Sequence, residues 1–244
     1  MILLFCKQKK DKVLSINSIE SAIFDLDGTL VDSKAGIVNG LKDAFLKCGF
    51  EIPENATIPV GPPLYDTILS IFPNIDNNSI ERITETFRNT YHRFDLPLSK
   101  PFDNMVNLLK TLKEYGIKTY IATYKPKVFS SKILEKYFTG LYEDVITPTE
   151  LPTWTDIYKY DCTKADIVEF LIKKHKINPS KSFMAGDSIT DIEAAHKNKM
   201  ISIAANYGYG GNLHFAHYSA NTPLELCEII LSLVKKEQYQ QEAV

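Results

Sequence analysis

Ile23-Phe24-Asp25-Leu26-Asp27-Gly28-Thr29-Leu30-Val31-Asp32-Ser33 is the stretch from which the fold can be read. Ser21 to Phe24 are apolar or small, as in a buried strand, and the run then breaks abruptly into acid and turn chemistry. Residues two apart on a strand lie on one side, so Asp25 and Asp27 share a face. They fall where the strand leaves its sheet, and open α/β folds bind ligands at the carboxyl ends of parallel strands. Two carboxylates that close repel each other unless a cation or a shared proton offsets the cost. Alone, Asp-Leu-Asp-Gly also reads as an ordinary turn, because Asp-Gly is a common turn signal.

The chain of 244 residues has room for one α/β domain and a smaller one. Its 44% apolar and 24% charged residues are those of a soluble globular protein. A net charge of −2 gives no electrostatic case for nucleic acid or an anionic membrane as partner. Lys7, Lys9, Lys10 and Lys12 read as a solvated arm. Met1 to Cys6 is too short to span a bilayer or to form a signal-peptide core, and no other apolar run approaches that length. Cys6, Cys48, Cys162 and Cys227 are scattered, with no Cys-x-x-Cys pair. That pattern indicates reduced thiols in a cytoplasmic protein, not a disulfide framework or a zinc site. His214 and His217 could share a helix face, but no Cys or third His completes a ligand set. The sequence carries no signal of oligomeric state.

Residues 1–20 read as a leader, with Val13 to Ile16 pairing weakly at most. Beyond Ser33 the pattern turns helical: Ile37, Leu41, Ala44, Phe45 and Cys48 recur at three and four, and Gly49 stops the helix. Val60-Gly61-Pro62-Pro63-Leu64 is a stiff turn, followed by short helices carrying Ile68 and Leu69, then Ile80, Ile83 and Phe87. Residues 34–98 therefore have helical periodicity and no strand. From Pro101 an alternating pattern returns: a helix through Leu109 and Leu112, a strand over Ile117 to Ala122, a helix over Val128 to Phe138, and a short strand at Val145-Ile146. Residues 147–162, with the lone Trp154, fit neither period. A helix opens at Lys164, strands cover Ser182 to Ala185 and Ile201 to Ala204, and a final amphipathic helix starts at Thr222-Pro223.

Three more features sit where strands end or helices begin. Thr123-Tyr124-Lys125-Pro126 puts a hydroxyl at a strand end before a helix, where an anion can bind or where a threonine can merely cap. Lys164 stands at a helix N-terminus, against the dipole. Gly186-Asp187-Ser188-Ile189-Thr190-Asp191 places two acids four apart at another strand-to-helix junction, on one helix face. Tyr207-Gly208-Tyr209-Gly210-Gly211 lacks the Gly-Lys-Ser/Thr of a nucleotide loop.

Taken together, Asp25-Leu26-Asp27-Gly28-Thr29, Thr123, Lys164 and Gly186-Asp187-x-x-x-Asp191 resemble, in order, the four signatures of the haloacid dehalogenase superfamily. The Tyr-Gly-Tyr-Gly segment resembles that of phosphoglycolate-phosphatase-like members. Tyr124 departs from relatives that often carry Asn or Ser there. The resemblance covers residues 20 to 235. It implies an α/β, Rossmann-like parallel-sheet core (residues 1–33 and 99–244) with a small all-helical cap inserted after the first motif (residues 34–98).

The resemblance also implies a Mg²⁺-dependent phosphatase acting on a small phosphorylated metabolite such as phosphoglycolate, a nucleotide or a sugar phosphate. Asp25 would be the nucleophile, forming a phospho-aspartyl intermediate. Asp27, protonated at first because of its acidic neighbours, would serve as acid and then base. Asp25, the backbone carbonyl of Asp27, and Asp187 would hold the metal, with Asp191 orienting. Thr123, Tyr124 and Lys164 would bind the phosphoryl oxygens. Lys34, Gly61, Pro62, Arg88 and Tyr91 are the cap's substrate-facing candidates. A phosphomutase of the same fold and a non-catalytic phosphate-binding regulatory module are the alternatives.

Overall fold

The computed structural model describes residues 19–152, 162–211 and 213–235. Residues 1–18 of the expected leader, with Val13 to Ile16 and Cys6, and Trp154 lie outside the described residues. A six-stranded sheet runs in the order β5-β4-β1-β6-β7-β8, every neighbouring pair parallel. Its strands are β1 (Ser21–Phe24), β4 (Lys118–Ala122), β5 (Asp144–Ile146), β6 (Ser182–Gly186), β7 (Ile201–Ala205) and β8 (Tyr218–Ala220). The central strands β1 and β6 are buried at every residue, as expected where helices cover both faces. Helices α5 (Met105–Glu114), α6 (Lys127–Tyr137), α7 (Lys164–His175), α8 (Ile189–Lys197) and α9 (Pro223–Lys235) provide that cover.

The two faces hold separate apolar cores. Phe24, Leu109, Leu134, Phe138 and Phe183 lie in one, and Ile23, Tyr120, Ile167, Val168, Leu171 and Met184 in the other. Ile23 and Phe24 thus point to opposite faces, which is the period-2 alternation of a strand buried on both sides. Strand order reverses at β1, because the chain adds β4 on one flank and β6 on the other. That reversal opens a crevice at the carboxyl end of β1.

Between β2 (Val31–Asp32) and β3 (Lys100–Pro101) the chain makes a helical layer: α1 (Lys34–Lys47), α2 (Leu64–Ile71), α3 (Asn77–Thr90) and the single turn α4 (Asp95–Leu98). β2 and β3 pair antiparallel, Val31 with Pro101 and Asp32 with Lys100, so the insertion leaves and rejoins the core at one place. The layer has its own core of Leu41, Phe45, Ile68, Ile71, Ile80 and Ile83. Asp76 starts α3 by accepting from the Ser79 N–H at 2.9 Å.

β2, β3 and β8 leave no signal in the sequence, because two or three residues are too few for a period to show. His214 and His217 are exposed, as surface histidines are, and no helix crosses them; the His217 Nδ1 lies 2.7 Å from the Ser202 hydroxyl. The described cysteines Cys48, Cys162 and Cys227 are free thiols. Among the described residues, no helix is long and apolar enough to cross a membrane.

Candidate active site

Three strand ends converge at the crevice. β1 runs into Asp25, β4 into Thr123 and β6 into Asp187, and the backbone N–H of Asp25 donates to Ala185 O at 2.9 Å. Carboxylate oxygens of Asp25, Asp187 and Asp191 lie within 4.8 Å of one another, and all three residues are buried. Asp191 reaches the group from the first turn of α8, where its other oxygen closes a capping box with the Ser188 N–H (3.0 Å) and hydroxyl (2.6 Å).

One buried cation faces this charge. Lys164, the first residue of α7, donates from Nζ to Asp25 Oδ1 at 2.6 Å and pairs with Asp191 Oδ1 at 3.1 Å. Burial alone would lower its pKa, but Asp191 and Asp25 outweigh burial and hold it raised. The Tyr124 ring lies 5.0 Å from this ammonium. Burial pushes Asp25 up to about 8 despite Lys164, with Asp191 and Asp187 adding to the rise. Burial and the neighbouring Asp191 push Asp187 up to about 7, against a hydrogen bond from the Tyr209 N–H. The three carboxylates and one ammonium fall short of charge balance by two if all are ionised, and the site lowers that cost by retaining protons.

Backbone approaches Asp187 closely. A Cβ on Gly208 would come within 2.3 Å of Asp187 Cβ and 2.4 Å of the Gly28 carbonyl oxygen, so nothing larger than glycine fits there. The Tyr207–Gly211 segment is therefore a strap across Asp187, with the Tyr209 N–H donating to Asp187 Oδ2 at 2.6 Å. The other end of Tyr209 reaches the stem of the helical layer. Its hydroxyl donates to Asp32 Oδ1 (2.8 Å) and accepts from the backbone N–H groups of Ser33 (2.8 Å) and Lys34 (3.0 Å).

Above the carboxylates opens a cleft of about 120 Å³. Asp25, Asp27, Thr123, Tyr124, Lys164 and Asp187 line its floor, and Gly61, Pro62, Arg88 and Tyr91 line the opposite side. Thr123 is buried, and its Oγ1 accepts from the Lys125 N–H at 3.1 Å, leaving the hydroxyl proton to donate elsewhere. Burial pushes the Tyr124 phenol up to about 12, which keeps it a neutral donor.

Two expectations require correction. Lys34 does not line the cleft. As the first residue of α1 it projects its ammonium to 5.7 Å from the Tyr209 ring centroid. Nor is the Asp27 carboxyl set among acidic side chains, as its expected initial protonation assumed; its Oδ1 accepts from Lys125 Nζ at 3.2 Å. The cation beside it was missed, as were Asp95 and Tyr209, because their partners are distant in sequence.

Comparison with known proteins gives the same frame. The family of haloacid dehalogenase-like hydrolases matches residues 22–205. A phosphoglycolate phosphatase of Agrobacterium fabrum is 30% identical over 195 residues, covering 77% of this chain and 81% of its own. A 5'-nucleotidase of Pseudomonas aeruginosa is 25% identical over 218 residues, covering 86% and 92%. The crystal structure of a protein described as a predicted phosphatase from Clostridium acetobutylicum superposes with a TM-score of 0.77 at 28% identity, covering 88% of this chain and all of that one. The chain belongs to the haloacid dehalogenase-like hydrolases. Within that family it is of the phosphoglycolate-phosphatase-like kind.

Proposed function

We propose that this enzyme is a Mg²⁺-dependent phosphatase that cleaves a small phosphomonoester through a phospho-aspartyl intermediate on Asp25. The observation that carries the reading is Asp25 at the carboxyl end of β1, facing the cleft with Lys164 Nζ 2.6 Å from its Oδ1. A phosphomonoester is anionic and resists attack, so its site must supply positive charge and hold the reactants in line. Lys164 and the Thr123 hydroxyl offer donors for the phosphoryl oxygens, and the Asp25 carboxylate is the nucleophile.

Asp27 protonates the leaving oxygen and later deprotonates the water that attacks the phospho-aspartate. The buried trio of carboxylates fits a hard, oxygen-seeking cation, and Asp25 and Asp187 would hold Mg²⁺ with the Asp27 carbonyl, Asp191 orienting. When bound, the ion supplies the charge that the trio lacks and shields the phosphoryl oxygens from the carboxylates. We take residues 34–98 as a cap over a core of residues 1–33 and 99–244. Gly61, Pro62, Arg88 and Tyr91 on the cap side select the leaving group, whether of phosphoglycolate, a nucleotide or a sugar phosphate.

The test is phosphate release from a panel of phosphorylated metabolites with and without Mg²⁺, wild type beside Asp25→Asn. Release that needs both the ion and Asp25 is expected, with the variant folded but inactive. Full activity in Asp25→Asn would sink the mechanism. No release from any member by the wild type would favour the phosphomutase or the binding module instead.

A further inference from the structure

Lys125 is as buried as Asp25, yet the mechanism above gives it no part. Its Nζ lies 3.2 Å from Asp27 Oδ1, 2.9 Å from Asp95 Oδ1 and 2.8 Å from the Tyr91 hydroxyl. The ammonium donates to Asp27 and Tyr91 and forms an ion pair with Asp95, each on a different segment. Asp27 belongs to the turn after β1, Tyr91 to the 3₁₀ turn after α3, and Asp95 to the start of α4. Asp95 is 2% exposed and lies outside the cleft lining. Tyr91 is held by the Phe87 and Phe129 rings, whose centroids are 4.6 and 5.0 Å from its own.

We infer that Lys125 is a positioning residue that fixes the Asp27 carboxyl for proton transfer and ties its orientation to the seating of the helical layer through Asp95 and Tyr91. The inference rests on the phosphatase reading. With Oδ1 anchored on the ammonium, proton exchange with the leaving oxygen falls to Oδ2. As the P–O bond breaks, the proton passes from the Asp27 carboxyl to the leaving oxygen, and Lys125 keeps all of its own. If the helical layer shifts, Asp95 and Tyr91 withdraw two of the three partners of the ammonium, and the Asp27 side chain is no longer held in the same place.

A strut that only stabilises the fold would behave differently in one respect. Protonating the leaving oxygen matters for an alkyl phosphate, whose alkoxide leaves poorly, and hardly at all for p-nitrophenyl phosphate. A mispositioned Asp27 must therefore change the ratio of the two kcat/KM values, which report the first phosphoryl transfer and not the later attack of water that both substrates share. Partial unfolding lowers both alike. The experiment compares kcat and KM on p-nitrophenyl phosphate and on the best alkyl phosphomonoester of the panel, for wild type, Lys125→Met and Asp95→Asn.

Lys125→Met should lower kcat/KM on the alkyl ester by on the order of 100-fold, within the usual contribution of a general acid, and on p-nitrophenyl phosphate by less than about tenfold. Asp95→Asn, which leaves the cleft lining intact, should move the ratio the same way by several-fold, with KM nearly constant. Equal losses of kcat/KM on both substrates in either variant would overturn the inference. If Lys125→Met does not fold, Asp95→Asn decides alone, and an unchanged ratio there refutes the coupling. A wild type without Asp25-dependent release on either substrate would defeat the phosphatase reading itself.

Discussion

Metal-free protein should lose stability as pH rises through neutrality, the reverse of what a salt-bridged carboxylate does. The cause is the trio of Asp25, Asp187 and Asp191 within 4.8 Å, with Lys164 the buried ammonium between Asp25 and Asp191. Burial, reinforced by Asp191, pushes Asp187 from 3.8 to about 7. Between those values the folded chain keeps a proton that the unfolded chain has already released. The unfolded state then binds fewer protons, so the unfolding free energy falls as pH climbs. That interval, at about 1.4 kcal/mol per pH unit, amounts to roughly 4 kcal/mol. About two of those units, roughly 3 kcal/mol, fall between pH 5 and pH 7, which for a chain of this size is a drop in Tm of about eight degrees. Asp25, pushed up to about 8, acts in the same direction.

The assay is thermal unfolding across pH in the presence of a chelator, repeated with excess Mg²⁺. The ion binds carboxylates that have shed their protons, so its stabilising effect should grow with pH and flatten the decline. Asp187→Asn, whose amide does not titrate, serves as the internal control and should show a shallower slope without metal. A metal-free Tm that is flat or rising over this range, or an equal slope in Asp187→Asn, would refute the reasoning. More acid conditions bring the opposite trend. Asp144, which burial would raise but Lys174 and His175 hold low, stabilises the fold above the ordinary aspartate pKa, and that contribution is lost as pH falls through its folded value.

Two further substitutions probe the same region. Lys164→Met strands three buried carboxylates without their counter-charge and should cost about 3 to 5 kcal/mol in chelator, read by urea unfolding, with excess Mg²⁺ restoring part of it. Phosphate release should fall to background even with Mg²⁺ present. Tyr209→Phe removes the hydroxyl that joins Asp32 to the Ser33 and Lys34 N–H groups, and should cost about 1 to 3 kcal/mol. Because the Tyr209 N–H still holds Asp187, Mg²⁺ affinity measured by calorimetry should change little in that variant.

What the sequence disclosed depended on whether a feature is carried by one element or by several. Asp25 and Asp27, or Asp187 and Asp191, declare themselves because their spacing lies within a single strand end or a single helical turn, where the backbone period settles the shared face. Helices such as α3 and α5 are legible for the same reason: their apolar residues recur over two turns or more. Lys125 stood in plain view beside Thr123, but its partners Tyr91 and Asp27 are 34 and 98 residues away, and no period relates them. Tyr209 lies 175 to 177 residues from Lys34 and Asp32, and a glycine-rich loop offers no pattern that tells a strap from a turn. Lys34 misled in the opposite sense, since closeness in sequence to the first motif does not decide where a long side chain goes once α1 has begun. The polar links that join the helical layer to the core are therefore the part that sequence hides. They are formed between strand ends and helix starts that only the sheet order brings together, and any substitution that alters substrate handling from outside the cleft should act through them.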